Sequence, residues 1–173
     1  VSVKENFTNN IIIWDIHSFS FLLFFKKIGG KKGINLSKKN IFEWFKKYKY
    51  YKGFPWINDF SSKRFINILY SYDFICSTSN EKEIKHLNHI LNFHVYRIMF
   101  DIKRKKIEDI SSFDILAFVL IEFINKNFNK HSYINIIEII NSQIDENAMH
   151  KSYNILEHSK FINNLNEVKN ILL

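Results

Sequence analysis

A single proline and four glycines in 173 residues leave this chain little with which to build tight turns, and sheet architectures depend on many of them. The single cysteine, Cys76, excludes an intramolecular disulfide and offers no thiolate cluster to a metal, so nothing favours an oxidising, secreted setting. Also missing are a Gly-x-Ser-x-Gly elbow, a phosphate-cradling glycine loop and a His-Glu-x-x-His pair. Nucleophilic, nucleotide-dependent and zinc-dependent catalysis therefore have no motif to rest on, Cys76 reads as an ordinary thiol, and the chain is expected not to be an enzyme. Long hydrophobic runs are lacking too. The best candidate, residues 19–25, follows Asp15 and His17 and falls far short of the roughly 20 apolar residues a membrane span requires, so it is expected to be a packed helix and a membrane is not the expected partner. A chain that begins at Val1 is expected to be processed or part of a longer protein.

What the chain has is apolar and basic. Hydrophobic residues make up 46% and aromatics 17%, enough for a real core, and the length fits a single helical domain over 1–173. The abundance of isoleucine, asparagine, lysine and phenylalanine is the usage of AT-rich coding sequence, with most asparagines expected to be solvated. The formal net charge is +8, and it is unevenly placed. Lys26, Lys27, Lys31, Lys32, Lys38, Lys39, Lys46, Lys47, Lys49, Lys52, Lys63 and Arg64 are opposed in their stretch only by Glu43 and Asp59, and a second run is Lys103, Arg104, Lys105 and Lys106. Beyond Ile107, acidic residues outnumber lysines. The basic half predicts an anionic partner and the acidic half a different one.

Apolar spacing predicts helices throughout. Ile12, Ile16, Phe19 and Leu23 mark one over 8–28, with Gly30-Lys31-Lys32-Gly33 as an exposed basic turn after it. A recurring phrase, an apolar residue followed by a serine, opens 36–48, 60–72 and 110–122, so Ser37, Ser61 and Ser111 are expected to be N-caps. Helices follow at 38–51, 62–75, 81–105, 112–126, 132–144, 148–158 and 160–173. No segment alternates with period two for long enough to make a strand. The expected fold is all-α: basic, aromatic-rich helices over 1–59, then three antiparallel helical hairpins over 60–173, stacked as a short α-solenoid or an irregular bundle.

The phrases FSSKRFINILYSY and ISSFDILAFVLIEFINK, each followed by a second amphipathic helix, resemble the helical hairpins of heptatricopeptide and related organellar repeat proteins, including those found with RAP domains in apicomplexan mitochondria. The likeness covers residues 36–144. It implies an RNA-binding solenoid, a place in the mitochondrial matrix or alternatively the cytoplasm, and ribosomal RNA as the partner.

Candidate site residues come from interleaving. Phosphate contacts beside stackable rings are what a protein uses to hold structured or single-stranded RNA, so the cations named above join Tyr50, Tyr51 and Trp56, expected to be exposed. Trp44 and Tyr48 share a stripe with Ile41 and Phe45 and are expected in the core. Glu83 and His86 have the Glu-x-x-His spacing of a di-iron helix, but no second such pair accompanies them and no metal or other cofactor is expected. His94 is expected to be a hydrogen-bonded core histidine. The function these observations favour is a non-enzymatic structural subunit of a mitochondrial ribosome, gripping rRNA with the basic half and neighbouring proteins with the acidic half, without a small-molecule substrate. The alternative is a helical scaffold subunit of a membrane-associated or exported assembly.

Overall fold

The computed structural model describes residues 13–173, apart from the side chain of Tyr133. The fold is all-α. Among the described residues the only β-type pairing is one isolated bridge between Ile144 and His150. The elements are α1 (13–18), α2 (Phe21–Ile28), α3 (Gly30–Tyr48), the short 3-10 turn η1 (Phe54–Trp56), α4 (Phe60–Tyr70), α5 (Tyr72–Cys76), α6 (Glu81–Ile102), η2 (Ile107–Asp109), α7 (Ser112–Ile124), α8 (Lys130–Gln143) and α9 (Ile155–Leu172). The part of the first expected helix that precedes residue 13, with Ile12, lies outside the described residues.

Local chemistry explains where these elements depart from the sequence expectation. The helix expected over 8–28 breaks at Phe19, whose φ of 63° is left-handed, and resumes as α2. The expected basic turn at Gly30–Gly33 is instead the first turn of α3, because Gly29, at φ 69°, and Gly30, at φ 55°, reverse the chain, and the Gly29 carbonyl already accepts from Gly33 N at 3.0 Å. Gly33 is then where α2 and α3 touch: a Cβ there would collide with the Phe25 carbonyl oxygen and press on the Phe74 ring. Of the three serines expected to cap helices, only Ser111 does so, in a full capping box with Asp114. Ser61 lies inside α4, behind Asp59, and Ser37 lies inside α3 with its hydroxyl donating to Gly33 O at 2.9 Å. The helix expected over 62–75 is interrupted at Ser71, whose N–H is drawn to both Ile68 O and Leu69 O. A helix over 148–158 does not form. The Asp145 carboxylate instead accepts the N–H groups of Asn147 and Met149, each at 2.9 Å, and holds the chain in a turn until Asn154 caps α9.

The chain forms two compact units, Val1–Tyr96 and Arg97–Leu173. In the first unit the buried residues Phe19, Leu22, Ile41, Trp44, Trp56, Phe60, Phe65, Ile68 and Leu87 make a core unusually rich in rings. At its centre lies Arg64, fully buried, its guanidinium 4.2 Å from the Trp44 ring centroid and 4.6 Å from that of Trp56. It donates to His17 O at 2.7 Å and Pro55 O at 2.8 Å, tying α4 to the end of α1 and to η1. In the second unit, α7 buries Ile115, Leu116, Ala117, Val119, Leu120 and Ile121 and packs most extensively on α9, through Phe161 and Val168. Each buried isoleucine, leucine and valine among them contributes roughly 1.5–3 kcal/mol of transfer free energy. Asn164 Nδ2 donates to Ser112 Oγ at 2.9 Å across the α7–α9 contact, and Gln143 Nε2 donates to Ile110 O.

Candidate nucleic-acid interface

α3 carries the candidate surface, and its sequence determines which way each lysine points. At 100° per residue, Gly33, Ile34, Ser37, Ile41, Trp44 and Phe45 fall on one arc and all are buried. Lys31, Lys32, Lys39, Lys46 and Lys47 fall on the other, and all are exposed. Lys32, Lys39 and Lys46 recur every seventh residue, so they run in one line with steps of roughly 10 Å along the axis. Within that exposed arc Glu43 is the only acid. None of these three lysines forms an ion pair among the described residues. The line continues past the helix in Lys49 and Lys52, both exposed. Lys49 Nζ lies 5.3 Å from the ring centroid of Tyr50, a residue 69% exposed whose side chain can stack on a base. Lys47 Nζ sits 5.0 Å from the Tyr48 ring.

Other residues of the expected site are placed elsewhere. Arg64 is at 0% exposure and belongs to the core, so it presents nothing to a phosphate. Its position four residues after Phe60 and four before Ile68, both buried, was the sequence signal for this. Lys38 is also buried, 3.0 Å from Glu83. Trp56, expected to be exposed, is 3% exposed and donates Nε1–H to Tyr48 O at 2.6 Å. Tyr51 lies flat on Phe93, ring centroids 4.4 Å apart, and its hydroxyl donates to Phe93 O, so its free face is small. Lys63 pairs with Asp59 at 2.8 Å, and Lys26 Nζ donates to Tyr70 O at 3.0 Å. Lys27 is exposed on α2. The run at 103–106 belongs to the second unit: Lys105 pairs with the buried Asp114 at 2.5 Å, Lys106 approaches Glu108 at 4.0 Å, Arg104 lies 4.7 Å from the Phe100 ring, and Lys103 is exposed.

Several groups with catalytic or ligating potential are committed to structure. Glu83, first of the Glu-x-x-His pair, caps α6 by accepting from Asn80 N while Asn80 accepts from Glu83 N. That backbone donor, and then the Lys38 ammonium, hold its carboxyl below the usual range. His86 lies against Phe42, ring centroids 4.6 Å apart, and no metal-holding group of His, Cys, Asp or Glu occurs among the described residues. Burial raises the Cys76 thiol above its ordinary pKa, which makes it a poorer nucleophile. His94 is in the core as expected, but it is not hydrogen-bonded: both ring nitrogens are buried without a partner among the described residues. Burial and then the Arg64 charge hold it well below the ordinary histidine pKa. His17 is also lowered, first by burial, and its Nδ1 accepts from Trp44 Nε1 at 3.0 Å.

Compared with protein-family models, with curated proteins and with solved structures, the chain matches none. The physical arrangement is therefore what bears on function. A line of exposed ammonium groups on a stiff helix, followed by an exposed tyrosine, can neutralise successive phosphates and stack one base.

Proposed function

We propose that this chain is a non-enzymatic RNA-associated protein that holds structured RNA on the outward face of α3, as a structural subunit of a mitochondrial ribosome-type assembly. The observation that carries this reading is the set Lys31, Lys32, Lys39, Lys46 and Lys47, exposed together on one helical face with Glu43 as its only acid. An isolated solvated face would ordinarily mix both signs. The basic composition and the resemblance to organellar RNA-binding hairpins point the same way. Neighbouring proteins are assigned to the second unit, where Tyr153, Ile155 and Leu156 are 72%, 82% and 63% exposed, more apolar surface in one short stretch than a free domain needs to show.

Salt titration against a folded ribosomal RNA fragment tests the reading. If Lys31, Lys32, Lys39, Lys46, Lys47, Lys49 and Lys52 all meet phosphates, log K should fall against log salt with a slope of about −5 to −6. A flat response, or no binding at low salt, contradicts it.

A further inference from the structure

α2 should be the least ambiguous helix in the molecule, and one of its faces is wrong for water. On a helical projection Phe21, Leu22, Phe25 and Lys26 share the inner arc: Leu22 is buried, the two phenylalanines are half-buried, and Lys26 bonds to Tyr70 O. The outer arc is Leu23, Phe24, Lys27 and Ile28, exposed by 50% and 61% at Leu23 and Phe24 and by 43% at Ile28. A surface helix turns polar residues outward, and an outer arc with three large apolar side chains to one lysine is one that something covers. The surroundings of this face select the cover. Lys27 lies within this face, between Leu23 and Phe24 on the projection and one turn after Leu23, and Lys31 and Lys32 follow directly in the first turn of α3. Between residues 13 and 42 Asp15 is the single acid.

We infer that this face is a membrane-surface anchor, fitted to an anionic lipid bilayer: Leu23, Phe24 and Ile28 enter the acyl boundary while Lys27, Lys31 and Lys32 meet the headgroup phosphates. The apolar side chains have no complement on a hydrated phosphate backbone, and the flanking cations have none on an apolar protein face. A bilayer interface offers both, in the order of depth this helix needs. Lys27 reaches the phosphates by extending its stem along the apolar surface. No described helix is long and apolar enough to cross a membrane, and lying on one requires only this face. The proposal shares Lys31 and Lys32 with the RNA-binding face of α3, whereas Leu23, Phe24 and Ile28 belong to the lipid-facing surface alone.

Co-sedimentation of the full chain with vesicles tests it, using phosphatidylcholine alone and phosphatidylcholine enriched in phosphatidylglycerol. The parent should bind the anionic vesicles at least about tenfold more tightly than the neutral ones. Leu23→Ser with Phe24→Ser should lose that binding by about tenfold, with helicity and RNA affinity unchanged and little change in melting, because both side chains are half or more exposed in the free protein. Should the double variant melt early, Ile28→Ser alone must weaken vesicle binding several-fold on an unchanged fold. Serine variants that bind anionic vesicles as well as the parent overturn the proposal, since the attraction would then be lysine charge alone. It is equally overturned if the serine variant loses RNA, which would make the face part of the RNA interface, or if sedimentation velocity shows a dimer that the variant abolishes while the parent ignores vesicles.

Discussion

At the scale of single residues, the first unit has buried positive charge and imidazole where an ordinary core would have aliphatic carbon. Arg64 is accommodated because two carbonyls accept from it and two indole faces enclose it, so its charge stays on. His94 is accommodated only while neutral. It is packed against Phe19, Trp44 and Trp56 with ring separations of 5.5 to 6.5 Å, and the charged group that acts on it is Arg64, of like sign to a protonated imidazole. Its folded-state pKa is below the ordinary 6.5, so at acidic pH the unfolded chain binds the extra proton and the folded one does not. The stability this group contributes is complete above pH 6.5 and is lost as pH falls below it, and His17 adds a smaller effect of the same sign. Thermal melts should therefore drop steeply from pH 7 towards pH 5, and His94→Phe, which fills the site without a titrating group, should flatten that slope. An identical pH slope in the variant would show that the acid sensitivity resides elsewhere.

At the scale of elements, α2 and α3 meet tightly at Gly33, where there is no room for a methyl group against the Phe25 carbonyl. Gly33→Ala forces two helices apart rather than one side chain aside. It should cost about 1–3 kcal/mol and lower the melting temperature accordingly, and a melting temperature equal to the parent's would contradict the packing described. The sequence showed most helices well, because the apolar stripes of α3, α6, α7 and α8 repeat at 3.6 residues and that period survives any tertiary context. It failed at the ends, where single side-chain bonds decide. Nothing in the phrase shared by Ser37, Ser61 and Ser111 says that only Ser111 will accept from the backbone three residues on. Nothing in residues 144–154 says that Asp145 will hold a turn against a helical pattern either. The single proline, Pro55, and the glycine before it gave one reliable stop.

At the scale of the whole molecule, charge asymmetry was legible from the sequence as a count, but burial sorted it. Arg64 went to the core and Lys38 to a buried pair with Glu83, because their positions border apolar stripes that a count of cations ignores, and Trp56 was drawn into the core from the η1 turn. Lys105 went to Asp114 for a reason the sequence hides, a contact between the end of α6 and the cap of α7. What remains is a smaller, cleaner surface: the line Lys32, Lys39 and Lys46, roughly 20 Å long on one stiff helix. The most direct measurement compares the salt dependence of RNA binding by the parent with that of the triple variant Lys32→Gln, Lys39→Gln, Lys46→Gln. Exposed substitutions of this kind change stability by about 0.5 kcal/mol or less each, so the variant should fold and melt like the parent. Its log K against log salt should be shallower by about 2–3, one phosphate contact removed per lysine. A slope equal to the parent's, on a folded variant, would mean that the α3 face does not touch RNA.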